Sequence, residues 1–264
     1  MSNQTRNYNI AVLESAIQIL DSFLVNDSTE STMSAISQQL GLTKNRTFRI
    51  LSTLTQHDYL RQDAATRRYH LGPKLIQLGE HARKGFKLVE VASPVMTRLA
   101  EQTGETIFLG VVDGWEMLCI DRRESSHSIR LNAQIGQRVP LHMGGVPKTL
   151  LAYQPAAFIQ EYLKRPLARA TDLTLTDPAH LCQALEEIRQ RGVCITCGDL
   201  ESEACSVAAP IRDHSGVVVS AISVAGPGTR FGAANIPRIV HAVTLAAAEI
   251  SRALGYVETH SANL

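Results

Sequence analysis

Several things are scarce or missing in this 264-residue chain. No apolar run approaches the ~20 residues needed to cross a bilayer, which argues against a helical membrane span and a membrane partner. The opening stretch MSNQTRNYNIAVLESA is polar, with Glu14 early in its apolar part, so the basic-then-apolar order of a secretion signal is lacking. Cysteines number five, an odd and small count for a secreted disulfide scaffold. Neither a G-x-S-x-G elbow nor a Gly-rich phosphate loop occurs, so no catalytic residue and no cofactor is expected. An excess of one charge is also absent: 26 Lys and Arg stand against 25 Asp and Glu, a formal +1. What is present is a 44% apolar share, ample for a core, and a 19% charged share, too low for a disordered chain. The expectation is a cytoplasmic protein of one large or two smaller domains.

Balance in the total conceals an uneven distribution. Up to Leu88 there are 11 basic and 7 acidic residues, a local +4; the remainder carries 15 and 18, a local −3. Between Thr43 and Lys74, Lys44, Arg46, Arg49, Arg61, Arg67, Arg68 and Lys74 face only Asp58 and Asp63. A basic block beside a near-neutral remainder is the footprint of a small domain that touches phosphate.

The local pattern supplies a frame for that block. Val12, Ile17, Ile19, Leu20, Phe23 and Leu24 recur at helical spacing and predict a first helix ending near Asn26-Asp27. Thr32 or Ser34 is placed to cap a second helix over 33–40, with Ile36 and Leu40 facing inward. Gly41 follows as its stop. Thr43 is placed to cap a third helix from Lys44 to about His57, with Phe48, Leu51 and Leu54 or Thr55 on its inner face. A short helix, a Gly turn and a longer helix basic at its start form a helix-turn-helix, whose second helix enters the major groove. The residues at that start are Thr43, Lys44, Asn45 and Arg46, with Arg49 one turn on. Arg46 suits the guanine O6/N7 edge and Asn45 suits adenine, while Lys44 and Arg49 suit phosphates. The expected partner is therefore double-stranded operator DNA; a three-helix interaction module that never meets DNA is the alternative. Tyr59 to Leu71 reads as a hairpin turning at Asp63–Thr66, a wing with Arg67 and Arg68 beside its tip.

Helical patterns from Leu75 to Arg83 and from Leu88 to about Thr103 connect this part to the next. Beyond them, 106–112 and 116–121 read as strands joined at Asp113-Gly114, with 129–131 a candidate third. Further strands are expected at 207–211 and 217–224, and helices at 148–153, 178–191 and 236–254. The order predicts an α+β domain with an antiparallel sheet.

These segments, taken in order, resemble the IclR-type transcriptional regulators across nearly the full chain. The resemblance is carried by Gly41-Leu-Thr-Lys44 within 30–54, Arg67-Arg-Tyr-His-Leu-Gly72, Thr103-Gly-Glu-Thr106, Pro140-Leu-His-Met-Gly-Gly-Val-Pro-Lys148, Val207-Ala-Ala-Pro-Ile211 and Ala221-Ile-Ser-Val-Ala-Gly-Pro227. It implies an N-terminal winged helix-turn-helix (9–71), a helical linker (72–87) and a GAF-like effector-binding domain (88–259). It also implies a homodimer or dimer of dimers, and control of catabolic genes by a small organic effector. The implied effector residues are Met143, Gly144, Gly145, Val146, Ser206 and Ser223, whose glycine amides and hydroxyls suit a carboxylate. Pro147, Thr196 and Ala225 depart from the family's pattern and shift the preference toward a less polar ligand such as an aromatic acid.

Cys194-Ile-Thr-Cys197 is a C-x-x-C with Cys205 nearby, which leaves an alternative reading as an enzyme or a metal or redox sensor. Against it, a closed zinc site needs four ligands, and residues three apart on a strand point to opposite faces. No metal is expected.

Overall fold

In the computed structural model, the described residues are 10–25, 29–84, 87–131 and 134–257. The expected helix end at Asn26-Asp27 lies outside them, as do residues 85 and 86 of the expected linker and the last two residues of the expected effector domain. The chain divides into two compact units, 1–85 and 86–264.

Within the first unit, α1 (Ala11–Val25), β1 (Glu30–Ser31), α2 (Met33–Gln39), α3 (Lys44–Gln56), β2 (Leu60–Gln62), β3 (Tyr69–Leu71) and α4 (Pro73–Lys84) follow in order. Thr32 caps α2 by accepting the Ala35 N–H, and Thr43 caps α3 by accepting the Arg46 N–H. Between the two helices the chain turns at Gly41, whose φ of +63° closes the bond from the Leu42 N–H to the Ser37 carbonyl. Ile19, Phe23, Ile36, Ile50, Leu51, Leu60 and Tyr69 form the core. One sequence expectation fails here, and another is extended. Phe48 is 54% exposed, because the buried stripe of α3 runs through Thr47, Ile50 and Leu51. The wing hairpin also gains β1 as a third strand, in the order β1-β3-β2.

The second unit contains α5 (Lys87–Thr103), β4 (Thr106–Asp113), β5 (Glu116–Arg123), β6 (Arg138–Pro140), α6 (Gly145–Ala152), α7 (Ala156–Leu163), α8 (Pro178–Arg191), β7 (Cys194–Cys197), β8 (Ala204–Arg212), β9 (Val218–Pro227) and α9 (Ile236–Ala253). The strands make one antiparallel sheet in the order β6-β5-β4-β9-β8-β7. Residues 129–131 form no strand; the sheet takes Arg138–Pro140 at that edge instead. Helix α7 and strand β7 went unread in the sequence.

Alternation along the strands sorts the two faces. Ile107, Leu109, Val207, Ala209, Ile211, Ile222 and Val224 pack with α5 and α9 residues such as Met96, Val243 and Ile250. Met117, Cys119, Ala208 and Ala221 pack on the other face with Leu150, Leu151, Leu181 and Leu185 of α6 and α8. Ser206 and Ser223 share the parity of Ala208 and Ala221, so both stand on the α6 face. Among the described residues, no helix is long and apolar enough to cross a membrane.

Candidate functional site

Two sites follow from this arrangement, one in each unit.

At the start of α3, Thr43, Lys44, Asn45 and Arg49 are exposed, and exposed Phe48 joins them one turn beyond Lys44. Arg46 departs from its expected role. Its Nη2 donates to the Ala11 carbonyl at 2.6 Å and to Ser15 Oγ at 2.9 Å, and its Nε is buried. The guanidinium therefore ties α3 to α1 instead of reaching outward to a base. In the wing, Asp63 Oδ1 accepts from the Ala65 and Thr66 N–H groups and from Thr66 Oγ1. These bonds, led by the Thr66 N–H, hold its carboxyl below the usual value. The tip they fix places Arg67 at a φ of +59° with its side chain exposed. Arg68 is exposed as well but pairs with Glu30 at 3.0 Å.

Between the α6 face of the sheet and the first turn of α6 lies a cavity of about 90 Å³. A water needs about 10–15 Å³ of such space, so several waters or a small organic molecule fit. Gly144, Gly145, Val146, Ser206 and Ser223 line it as expected. Met143 does not: it is 4% exposed and packs into the α6–α8 core. Phe108, Met117, Leu131, Val139 and Leu200 make the wall largely apolar. Among the described residues neither the Ser206 nor the Ser223 hydroxyl takes part in a hydrogen bond, although Ser223 is 1% exposed. Both are thus available to a guest.

The glycine pair is a geometric requirement. Gly144 sits at a φ of +82°, and a Cβ on Gly145 would come within 2.5 Å of Ser206 Oγ. The first N–H groups of α6, on Gly145 and Val146, have no intrahelical acceptor and favour an anionic group placed before them. Pro147 contributes no N–H.

Asp199 was missed as a pocket residue. Its Oδ2 accepts the Gly144 N–H at 3.0 Å and pairs with Lys148 Nζ at 2.6 Å, with both partners buried. Lys148 also donates to Thr196 Oγ1 at 3.2 Å. Burial alone would raise the Asp199 carboxyl; the Lys148 ammonium and the hydrogen bonds outweigh it and hold the carboxyl below its usual value. The charge at this wall is therefore already balanced, and the Gly144 amide is already used.

The cysteine trio does not assemble. Cys194 is buried, and burial pushes its thiol up to about 11, so at neutral pH it is no thiolate. Cys197 and Cys205 are joined to each other by a disulfide. Among the described residues no group of three or more His, Cys, Asp or Glu is placed to hold a metal ion. His142 is held by Tyr162 Oη and the Ala168 carbonyl, each at 2.8 Å, a structural role away from Ser206.

Comparison with known proteins places both units in one family. Residues 12–64 match the family described as IclR helix-turn-helix domain, and residues 81–252 match the one described as Bacterial transcriptional regulator IclR C-terminal. The chain belongs to the IclR family of transcriptional regulators. It is 35% identical to the HTH-type transcriptional regulator BhcR of Paracoccus denitrificans over 92% of this chain and 86% of that one. It superposes on the Thermotoga maritima IclR crystal structure with a TM-score of 0.82 at 30% identity, covering 94% of this chain and all of that one. An IclR homologue from Microbacterium hydrocarbonoxydans, complexed with 4-hydroxybenzoate, matches with a TM-score of 0.82 at 27% identity, over 92% and 98% of the two chains. This IclR-family chain is thus a DNA-binding regulator with an effector-binding C-terminal domain, and its function is regulation instead of catalysis.

Proposed function

We propose that this regulator reads its operator through Thr43, Lys44, Asn45, Phe48 and Arg49 of α3, with Arg67 and Arg68 of the wing on the backbone. The reading takes 9–71 as the reader, 72–87 as linker and 88–259 as effector domain, acting in the cytoplasm as a homodimer or dimer of dimers. Asn45 carries adenine recognition, Phe48 offers apolar contact to a thymine methyl, and Lys44 and Arg49 neutralise phosphates. Arg46 serves as a positioning residue. The effector is a small aromatic carboxylate whose ring lies against Phe108, Met117, Val139 and Leu200. Its carboxylate meets the Gly145 and Val146 amides and the hydroxyls of Ser206 and Ser223. Catabolism of that acid is the expected target of control.

The observation that carries this reading is the pair of unpartnered hydroxyls on an apolar cavity wall beside a helix N-terminus. Binding shifts operator affinity only if the effector prefers one of two arrangements of the heads. The test is a thermal-shift series with 4-hydroxybenzoate and its analogues beside salt-dependent operator titrations. A concentration-dependent rise in melting temperature together with altered operator affinity supports it; a ligand that leaves both unchanged at saturating concentration removes the aromatic-acid assignment.

A further inference from the structure

Cys197 of β7 and Cys205 of β8 face each other in strand register, with Cα atoms 4.1 Å apart and their sulfurs joined. Only eight positions separate them in sequence. The disulfide therefore closes the base of one hairpin loop, 198–203. Asp199, Leu200 and Glu201 of that loop wall the effector cavity. Strand alternation puts the sulfurs on the sheet face opposite Thr196 and Ser206, and Cys205 itself borders the cavity, so the clamp lies at the cavity wall.

The remaining ties of the loop are hydrogen bonds and the buried Lys148–Asp199 ion pair. The Gly198 N–H donates to the Ala204 carbonyl at 2.8 Å, and Thr174 Oγ1 donates to the Asp199 carbonyl at 2.7 Å. The Asp199 carboxylate then receives the Gly144 amide, linking the loop to the first turn of α6. A DNA-binding regulator works among thiols that are kept reduced, where disulfides are mostly transient, catalytic or sensing. Cys197 is exposed and reachable by a small oxidant, whereas Cys205 is buried behind it.

We propose that Cys197 and Cys205 form a thiol–disulfide clamp on the 198–203 loop, so that their oxidation state sets how tightly the effector cavity is walled and how strongly it binds. The proposal rests on the reading of that cavity as the effector site. The oxidant is a small disulfide of the glutathione class. Cys197 attacks one of its sulfurs as a thiolate, the small disulfide's S–S bond breaks, and one small thiolate leaves while the other half stays on Cys197 as a mixed disulfide. Cys205 then loses its proton and attacks Cys197 Sγ; the mixed bond breaks and the second small thiolate leaves. The two protein thiols are oxidised, and the two protons end on the two released thiols. The closed clamp removes open loop conformations, so less ordering is required when the effector binds.

The test uses the full chain, wild type and Cys197→Ser, each treated with oxidised glutathione or with a phosphine reductant. Alkylation with mass analysis counts thiols, amide hydrogen exchange follows 198–203, and 4-hydroxybenzoate is titrated into each form. Oxidised wild type is expected to lose two alkylatable thiols, to exchange several-fold more slowly in the loop, and to bind several-fold more tightly than its reduced form. Cys197→Ser is expected to behave like reduced wild type under both treatments. Unchanged thiol counts, loop exchange indifferent to oxidation, equal affinities in the two states, or a variant that keeps the difference would each overturn the proposal. If 4-hydroxybenzoate binds neither form, the effector reading fails, and thiol counts with exchange still decide whether the clamp exists.

Discussion

Lys148 and Asp199 form a buried ion pair, 2.6 Å from Nζ to Oδ2, on the wall of the effector cavity. Removing one partner leaves an uncompensated buried charge, which costs about 3–5 kcal/mol in comparable pairs. Lys148→Met, which strands the Asp199 carboxylate, and Asp199→Asn, which strands the Lys148 ammonium, are therefore each expected to destabilise the second unit by that order, measured by denaturant unfolding.

The same pair gives a pH dependence with a defined sign. The Asp199 carboxyl lies below its ordinary 3.8 in the folded protein. Its contribution is fully present above pH 3.8 and is lost as pH falls below it through the folded value. Stability measured between neutral pH and pH 3 should fall less steeply at the acid end in Asp199→Asn than in wild type; parallel curves would contradict the assignment.

Arg46 and Arg49 are expected to separate stability from DNA binding. Arg46→Ala removes the bonds to Ala11 and Ser15 and should lower the stability of the first unit by about 1.5–3 kcal/mol. Arg49→Ala should leave melting unchanged and reduce the salt slope of operator binding by about one. Thermal unfolding and salt-dependent titration of both variants check this.

Arg67 holds a left-handed backbone that a side chain strains. Arg67→Gly and Arg67→Ala both delete the guanidinium and should weaken operator binding alike. The Gly variant should be more stable than the Ala variant by about 1 kcal/mol, since only Gly occupies that region freely. Equal melting temperatures would count against a strained wing tip.

Ser206→Ala and Ser223→Ala leave no protein partner behind, so neither should destabilise the fold. Each should weaken effector binding by about 1 kcal/mol, roughly fivefold, in a calorimetric titration. Gly145→Ala is expected to be harsher, because its Cβ meets Ser206 Oγ at 2.5 Å.

The helix-turn-helix was legible because its signals are local. Thr32, Gly41 and Thr43 act on residues within a turn of themselves, and capping needs no knowledge of the rest of the chain. Phe48 was misplaced for the opposite reason: which stripe of α3 faces inward depends on where α1 and α2 lie, and those contacts are not written in α3 alone. The same dependence hid the true direction of Arg46, whose acceptors lie 35 and 31 residues away. Asp199 could not be placed without β7, an edge strand of four residues too short to stand out as a pattern. In the cavity Gly144, Gly145, Val146, Ser206 and Ser223 were legible through resemblance. Met143, next to them in sequence, was lost to the core, where its side chain packs among residues of α6 and α8.

Alternation in the central strands also bears on how such a regulator could change its ligand. Along β4, β8 and β9 the positions that carry the fold (Ile107, Val207, Ile222, Val224) interleave with those that border the cavity (Phe108, Ser206, Ser223, Ala225). Adjacent residues on one strand thus answer to different demands. The cavity can be recut for a new molecule by substituting every second position, while the residues between them go on supporting the sheet unaltered.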